Sequence, residues 1–336
     1  MARITTGIDI GTEEAKIVCL EAGEDGARRL ASYGVFSFEG NESRLRAFIR
    51  SAELPSGEIR TNIEDQSLKI RRLDLPQMSD AEMNEAVRWG MKDIVEGDVT
   101  AFTFRHVKIS QEDLEATGKI PLLVFAIKTE AIEKRYDLFK RLGLKTPRII
   151  EPNAGALQSI FAHSLDPERA GPQVIINLGR LYSGFLVIGR KGIVFSRPLN
   201  GCGEDHLRNQ IARDLGIQSE EAERLKKTHF AAAGGSSESD LLLKNTISQF
   251  YSKLAVEVQR SIDGYNLVFG KQKIETIHLC GRGAYYADFI DYLDKTIGIG
   301  VKMFDPFKNI DVGDFSPGPL DEKRALFAVA CGLAVD

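Results

Sequence analysis

Apolar and polar positions at the start of the chain fall into two strand-like runs around a glycine. The stretch Thr6-Gly7-Ile8-Asp9-Ile10-Gly11-Thr12-Glu13-Glu14-Ala15-Lys16-Ile17-Val18 reads as a strand, a tight turn and a second strand. The pattern returns at Val174-Ile175-Ile176-Asn177-Leu178-Gly179-Arg180-Leu181-Tyr182-Ser183-Gly184-Phe185-Leu186. Asp9 aligns with Asn177 and Gly11 with Gly179, an offset of 168 residues in a chain of 336. That spacing predicts two similar lobes, each opening with a hairpin. A chance match of two short runs is the competing explanation.

Between the hairpins the periodicity changes. Leu68 to Leu75 alternates like a strand and closes at Pro76; Ser79-Asp80-Ala81-Glu82 then has the composition of a capped helix start ahead of Met83, Val87 and Met91. Strand-like runs follow at Ala101 to Ile109 and Pro121 to Lys128. A helix from Thr129 carries Ile132, Tyr136, Phe139 and Leu142 to a stop at Gly143. With a last strand at Arg148-Ile149-Ile150, these elements predict a small α/β subdomain at 77–147, inserted in a first lobe formed by 1–76 and 148–171.

The second lobe is expected at 172–336, with a helical subdomain at about 204–270. Helices are predicted from Glu204 to Leu215 and from Ser219 through Lys227, followed by a mobile surface loop at Ala231 to Ser237. A long helix from about Ser239 to Phe269 carries Ile247, Phe250, Tyr251, Leu254, Val258 and Ile262 as a core stripe. Ile274 to Cys280 reads as a strand running into Gly281-Arg282-Gly283-Ala284, with a helix from Tyr285.

Composition narrows the function classes. Apolar residues make up 43% and charged residues 27%, as in soluble globular proteins, and the length exceeds what one hydrophobic core usually serves. The formal net charge is -4 and the basic residues are scattered, which argues against nucleic acid as a partner. Cys19, Cys202, Cys280 and Cys331 lie far apart, without the spacing of a zinc site or redox dithiol, and read as buried free thiols of a reducing cytoplasm. The start Met-Ala-Arg-Ile-Thr-Thr lacks the features of a signal peptide, and no window approaches the roughly 20 apolar residues of a membrane span. A cytoplasmic protein is expected, with any membrane association made through a partner.

Each hairpin turn can bring backbone N–H groups and a glycine against a phosphate. Asp9 suits the orientation of a hydrated Mg²⁺ and Lys16 the charge of a phosphate. A turn carboxylate and a solvated strand residue are the plainer readings of the same two side chains. A strand ending in Gly281-Arg282-Gly283-Ala284 ahead of a helix can bring backbone near an adenine or ribose, although a Gly-x-Gly alone is a weak signal.

Taken in order, the Gly-Ile-Asp-Ile-Gly-Thr hairpin with its downstream lysine, the second hairpin and the Gly-Arg-Gly-Ala turn resemble the phosphate-1, phosphate-2 and adenosine motifs of the actin and Hsp70 ATPase superfamily. The place of the insert is similar to that in FtsA and PilM. Ala86-Val87-Arg88-Trp89, Glu151-Pro152-Asn153-Ala154-Gly155-Ala156-Leu157, Glu221-Ala222-Glu223-Arg224-Leu225-Lys226, Glu257-Val258-Gln259-Arg260-Ser261-Ile262 and Ala328-Val329-Ala330-Cys331-Gly332-Leu333-Ala334 resemble the type IV pilus assembly PilM family in particular. The resemblance spans residues 7 to 334 and implies an α/β, actin-like (ribonuclease H-like) fold of duplicated lobes with a small inserted α/β subdomain. It also implies ATP with Mg²⁺ between the lobes. Asp9 would lie near the metal through water, Gly11, Thr12 and Lys16 at the phosphates, and Asn177 and Gly179 at the second phosphate turn. Glu223 and Lys226 would lie near ribose and base, and Gly281, Gly283 and Ala284 under the adenosine. Glu151 takes the place where the superfamily often has an acidic or amide residue close to the attacking water. It equally suits a cap on the next helix, and Glu223 with Lys226 equally suits a surface pair.

Departures from the pattern bear on activity. The superfamily usually has Asp where this chain has Asn177, a small residue where Arg180, Leu181 and Tyr182 stand, and a third small residue where Arg282 stands. Arg180 either contacts phosphate or fills the site and excludes the nucleotide. ATP turnover is therefore expected to be weak at most. The resemblance implies a cytoplasmic scaffold, peripheral at the inner membrane, in a type IV pilus or related motility or secretion platform. Its partner would be the N-terminal cytoplasmic tail of a PilN-like inner-membrane protein, held as an extended peptide between first lobe and insert. Trp89 either lines that groove or packs within the insert, and self-association stays open. Two readings compete. A small-molecule kinase of the same fold needs a base for an acceptor hydroxyl, and only Asp9 and Glu151 are acidic residues in reach of that role. An FtsA-like filament-forming division protein would carry an amphipathic membrane helix, for which the small-residue run ending at Asp336 is no match.

Overall fold

The first strand is covered on both faces: from Thr5 to Ile10 every residue of β1 (Arg3–Ile10) is buried, with Thr5, Thr6 and Asp9 among them. The computed structural model describes residues 3–24, 26–110, 118–164, 171–231, 238–270, 273–286 and 288–335. The loop expected at Ala231 to Ser237 falls, from residue 232 on, outside the described residues. In chain order β1 is followed by β2 (Glu14–Ala22), β3 (Arg28–Ser37), α1 (Glu42–Ser51), β4 (Glu58–Asn62), β5 (Lys69–Pro76), α2 (Asp80–Met91), β6 (Phe102–Lys108), β7 (Lys119–Lys128) and α3 (Thr129–Leu142). Next come β8 (Ile149–Glu151), α4 (Asn153–Ser164), β9 (Gln173–Leu178), β10 (Ser183–Gly189), β11 (Gly192–Pro198), α5 (Glu204–Leu215), α6 (Ser219–Ala231) and α7 (Glu238–Phe269). β12 (Thr276–Cys280), α8 (Phe289–Ile297), β13 (Gly300–Met303), β14 (Ile310–Asp311) and α9 (Ala328–Val335) complete the chain.

These elements form two compact units, one of residues 1–170, 188–196 and 305–336 and one of residues 171–187 and 197–304. The two larger sheets of the chain share one plan. The first runs β14-β3-β2-β1-β4-β8 and the second β11-β10-β9-β12-β13. In each, a hairpin leads to a third strand on one side, and two parallel strands extend the sheet on the other: β1 with β4 and β4 with β8, β9 with β12 and β12 with β13. The repeat read at an offset of 168 residues is thus a repeat of whole sheets.

In the first unit, Asn41 caps α1 by accepting from the backbone N–H groups of Ser43 and Arg44. That fixes the helix with Leu45 and Ile49 against Ile8, Ile10, Ile17 and Cys19 of the sheet. The insert departs and returns between β4 and β8, which are hydrogen-bonded neighbours, with Arg60 opposite Ile149. Its sheet, β5-β7-β6, includes β5, so the insert begins with that strand and not after Pro76 as the sequence suggested. Helix α2, held at its start by a Ser79/Glu82 capping box, lays Met83, Val87 and Met91 on Leu122, Val124 and Ala126. At the far end of the insert, Phe139 and Leu142 of α3 join the core of the larger sheet.

A second correction concerns 305–335, expected in the second lobe and found in the first unit. Every residue of α9 is buried. The helix lies so close to β1 and α4 that a Cβ on Gly7 would overlap the Ala330 carbonyl and a Cβ on Gly332 the Ala156 carbonyl. The Arg28 guanidinium donates to the Val335 carbonyl oxygen at 3.0 and 3.1 Å.

The second unit is built on α7. Ile247, Phe250, Tyr251, Leu254, Val258 and Ile262 are all buried, as their spacing predicts. The four cysteines are free and buried. Among the described residues no helix is long and apolar enough to cross a membrane. Trp89, however, does not pack inside the insert: it is 68% exposed, with Lys92 Nζ 5.3 Å from its ring centre.

Candidate functional site

Residues singled out by the sequence gather at the strand ends of each unit. In the first, the β1–β2 turn closes with Gly11 N–H donating to the Glu14 carbonyl at 2.9 Å, and Thr12 is exposed within it. Asp9 stands opposite Lys16 in the antiparallel register, Nζ lying 3.4 Å from Oδ2, and both side chains are largely buried. The Asp9 Oδ1 accepts from Asn62 Nδ2 at 2.7 Å. Asn62, at the end of β4, also donates to Asn153 Oδ1 at 2.9 Å and accepts from Ile10 N–H at 2.9 Å. Asp9 is therefore tied from β1 through β4 to the first turn of α4.

Glu64 completes this cluster and escaped the sequence reading. Its Oε1 accepts from the Asn153 N–H at 2.9 Å, which supplies the start of α4 with a carboxylate. Burial, with the Asp9 charge adding to it, pushes the Glu64 carboxyl up to about 7, against the Asn153 hydrogen bond and Arg135. Arg135, its own pKa lowered by burial, donates to the Ile10 carbonyl at 3.4 Å. Polar residues at alternate positions, 62 and 64, at the end of a strand that pairs with the first hairpin and just beyond it, were the available signal. The folded state holds the Glu64 proton more tightly than the unfolded chain, whose ordinary value is 4.5. Stability is then greatest, as far as this group matters, below about 4.5, declines as pH rises through about 7, and levels off above it. Glu64→Gln should flatten that decline, on the order of 2 kcal/mol across the window, as read from urea unfolding at pH 5 and pH 8; an unchanged slope would contradict the assignment.

Glu151 folds over the first turn of α4, so near Gly155 that a Cβ there would overlap its Oε2.

In the second unit, Asn177 near the end of β9 stands opposite Cys280 of β12, whose Sγ–H points to Asn177 Oδ1 at 3.7 Å. Gly281 has φ +79°, and a Cβ there would meet Asn177 Oδ1 and the Leu178 carbonyl. A Cβ on Gly283 would meet Leu178 as well. These glycines let the buried turn through Gly283 and Ala284 close down on β9. The turn itself is a 3₁₀ helix from Arg282 to Tyr285, and the α-helix expected from Tyr285 begins at Phe289. Gly179 accepts at its carbonyl from Glu204 N–H at 3.2 Å, and Arg180 likewise from Asp205 N–H at 3.0 Å, which seats the β9–β10 turn on the start of α5.

Around that seat lies an ionic network. Arg180 Nε is 2.9 Å from Asp205 Oδ1 and its Nη1 3.9 Å from Glu223 Oε1. Lys226 Nζ lies 3.0 Å from Glu223 Oε2 and 3.7 Å from Glu204 Oε1, while Arg282 Nε lies 3.5 Å from Glu204 Oε2. Glu204 and Lys226 are each 3% exposed, so Glu223 and Lys226 are no mere surface pair. Burial raises the Glu204 carboxyl against the pull of Lys226. For Glu223 burial works upward too, but Lys226, Arg180 and Lys227 outweigh it and hold the carboxyl below its ordinary range.

Two tests of fit follow. For a nucleotide, this network leaves the Tyr286 hydroxyl buried without a hydrogen-bond partner among the described residues, a polar atom of the kind ribose and phosphate satisfy. For a divalent metal the fit is poor. The Asp9 oxygens are held by Asn62 and Lys16, and among the described residues no three His, Cys, Asp or Glu side chains gather as a metal site.

Comparison with known proteins agrees with the fold. A chain of the PilM-PilN type IV pilus biogenesis complex superposes with a TM-score of 0.82 at 18% identity, covering 98% of this chain and 97% of that one. The ethanolamine utilization protein EutJ from Carboxydothermus hydrogenoformans matches at a TM-score of 0.53 and 15% identity, over 99% and 89% of the two chains. No curated protein sequence matches. The architecture is that of the actin-like ATPases, as the motif order implied. The model of the family described as type IV pilus assembly protein PilM matches residues 7–336, and the chain belongs to that family.

Proposed function

We propose that the chain is a scaffold of a type IV pilus assembly platform that holds the N-terminal cytoplasmic tail of a PilN-like inner-membrane protein and binds ATP through its turn motifs. The observation that carries this reading is the full-length likeness to a chain of a PilM-PilN complex, insert included. An extended tail suits such a partner, because backbone hydrogen bonds supply affinity while side-chain pockets supply register. The protein is then cytoplasmic and peripheral at the inner membrane through that partner.

In this reading Asp9, Gly11, Thr12, Lys16, Asn177 and Gly179 serve the phosphates. Glu223, Lys226, Gly281, Gly283 and Ala284 serve the nucleoside. ATP acts as a structural ligand, and Glu151 orients α4 instead of activating water. Titration calorimetry of the purified chain with ATP tests the nucleotide half. Micromolar binding that disappears in Asp9→Ala is expected; binding unaffected by that change would place the nucleotide elsewhere.

A further inference from the structure

The internal repeat allows the two turns to be compared residue by residue. In the first hairpin Asp9 faces Lys16, with Thr12 in the turn. At the same offset of 168 residues the second hairpin has Asn177, Gly184 and Arg180. It therefore lacks both the carboxylate and the ammonium, and has a guanidinium in the turn itself.

Arg180 is placed where it can change partners at small cost. Its side chain is 18% exposed and lies against Asp205 and Glu223. Both carboxylates have other cations: Arg208 Nη1 is 3.2 Å from Asp205 Oδ1, and Lys226 Nζ is 3.0 Å from Glu223 Oε2. Neither is stranded when Arg180 turns away. Beside them the Tyr286 side chain, 6% exposed, has a hydroxyl without a hydrogen-bond partner among the described residues. Glu204, Glu223 and Arg282 are close enough to act on that hydroxyl. A buried hydroxyl beside the Arg282 guanidinium is completed by an anionic oxygen brought by a ligand.

A divalent ion, in contrast, would find few donors. At this turn position 177 offers an amide where a carboxylate would serve a cation. A guanidinium can neutralise phosphate without a metal, through paired N–H donors matched to two phosphate oxygens. We infer that Arg180 binds the phosphate chain of the nucleotide in place of a divalent metal ion, so that this chain takes ATP without Mg²⁺. The inference rests on the nucleotide reading given above.

The test is the affinity of the full chain for ATP, measured by calorimetry in excess magnesium chloride and in excess EDTA. The two affinities should agree within about threefold. Arg180→Ala should weaken binding in EDTA by about 10- to 100-fold, the range for a hydrogen bond to a charged group, and Arg180→Lys by less. Asp205→Asn, which removes a competitor for the guanidinium and retains Arg180, should tighten binding; it keeps the experiment decisive if Arg180→Ala does not fold. Binding seen with magnesium and lost in EDTA overturns the inference and leaves the nucleotide reading standing. Binding indifferent to both Arg180 and Asp205 overturns it as well. No binding in either medium overturns both.

Discussion

Gly332→Ala should lower the melting temperature by several degrees or prevent folding. The methyl group would occupy the position of the Ala156 carbonyl, and on the opposite side a Cβ on Gly7 would meet the Ala330 carbonyl. Helix α9 is thus held between α4 and β1 by backbone on both sides, with no flexible side chain to move aside. Overpacking of a core typically costs about 1–3 kcal/mol, and the upper end applies where the neighbour is backbone. A loss of about 3 kcal/mol corresponds to roughly 6–12 °C for a unit of this size. Thermal melts followed by circular dichroism measure it; a change of less than about 1 °C would show that α9 is not seated as described.

Lys226→Ala is the second large effect expected. Glu204 is 3% exposed and its ammonium partner equally so, which means truncation leaves a buried carboxylate with only Arg282 at 3.5 Å. Removing one member of a buried pair costs about 3–5 kcal/mol, mainly because the remaining charge is uncompensated. The folded-state pKa of Glu204 is already raised by burial, and loss of Lys226 raises it further. The sign follows: the folded variant gains a proton more readily than its unfolded chain, so the defect is smallest in acid and grows as pH rises through the raised value. The double variant Glu204→Gln/Lys226→Met should recover most of the loss, since the most deeply buried charge of the network is removed together with its ammonium partner. Melts of the three proteins at pH 5 and pH 8 decide the matter. A defect in Lys226→Ala that does not vary with pH would contradict the pairing.

How far the fold was legible in the sequence depends on how local its causes are. The two hairpins are written in adjacent residues, an apolar run, a glycine and a second run, and α2 announces its start through Ser79 and Glu82. Helix α5 occupies the predicted residues Glu204–Leu215, between Gly203 and Gly216. The seat of residues 305–335 was not legible, because it depends on contacts across the whole chain, such as Arg28 with the Val335 carbonyl. The start of the insert was missed because β5 is an edge strand of mixed burial, and its alternation does not say which sheet it joins.

At the site, motif spacing identified the turns, but side-chain pairing lay beyond it. Nothing in the order of residues told that Arg180 meets Asp205 and Glu223, that Asn62 links Asp9 to Asn153, or that Glu64 lies against the start of α4. Those links join residues tens of positions apart through strands that only the sheet order brings together.

The central claim is that this chain is the cytoplasmic receptor for the tail of a PilN-like membrane protein. Its most direct test is calorimetric titration of the purified full chain with a synthetic peptide copying that tail from the same source. One peptide bound per chain with micromolar affinity, and a scrambled peptide not bound, is the predicted result. Equal binding of both peptides, or of neither, would contradict the account.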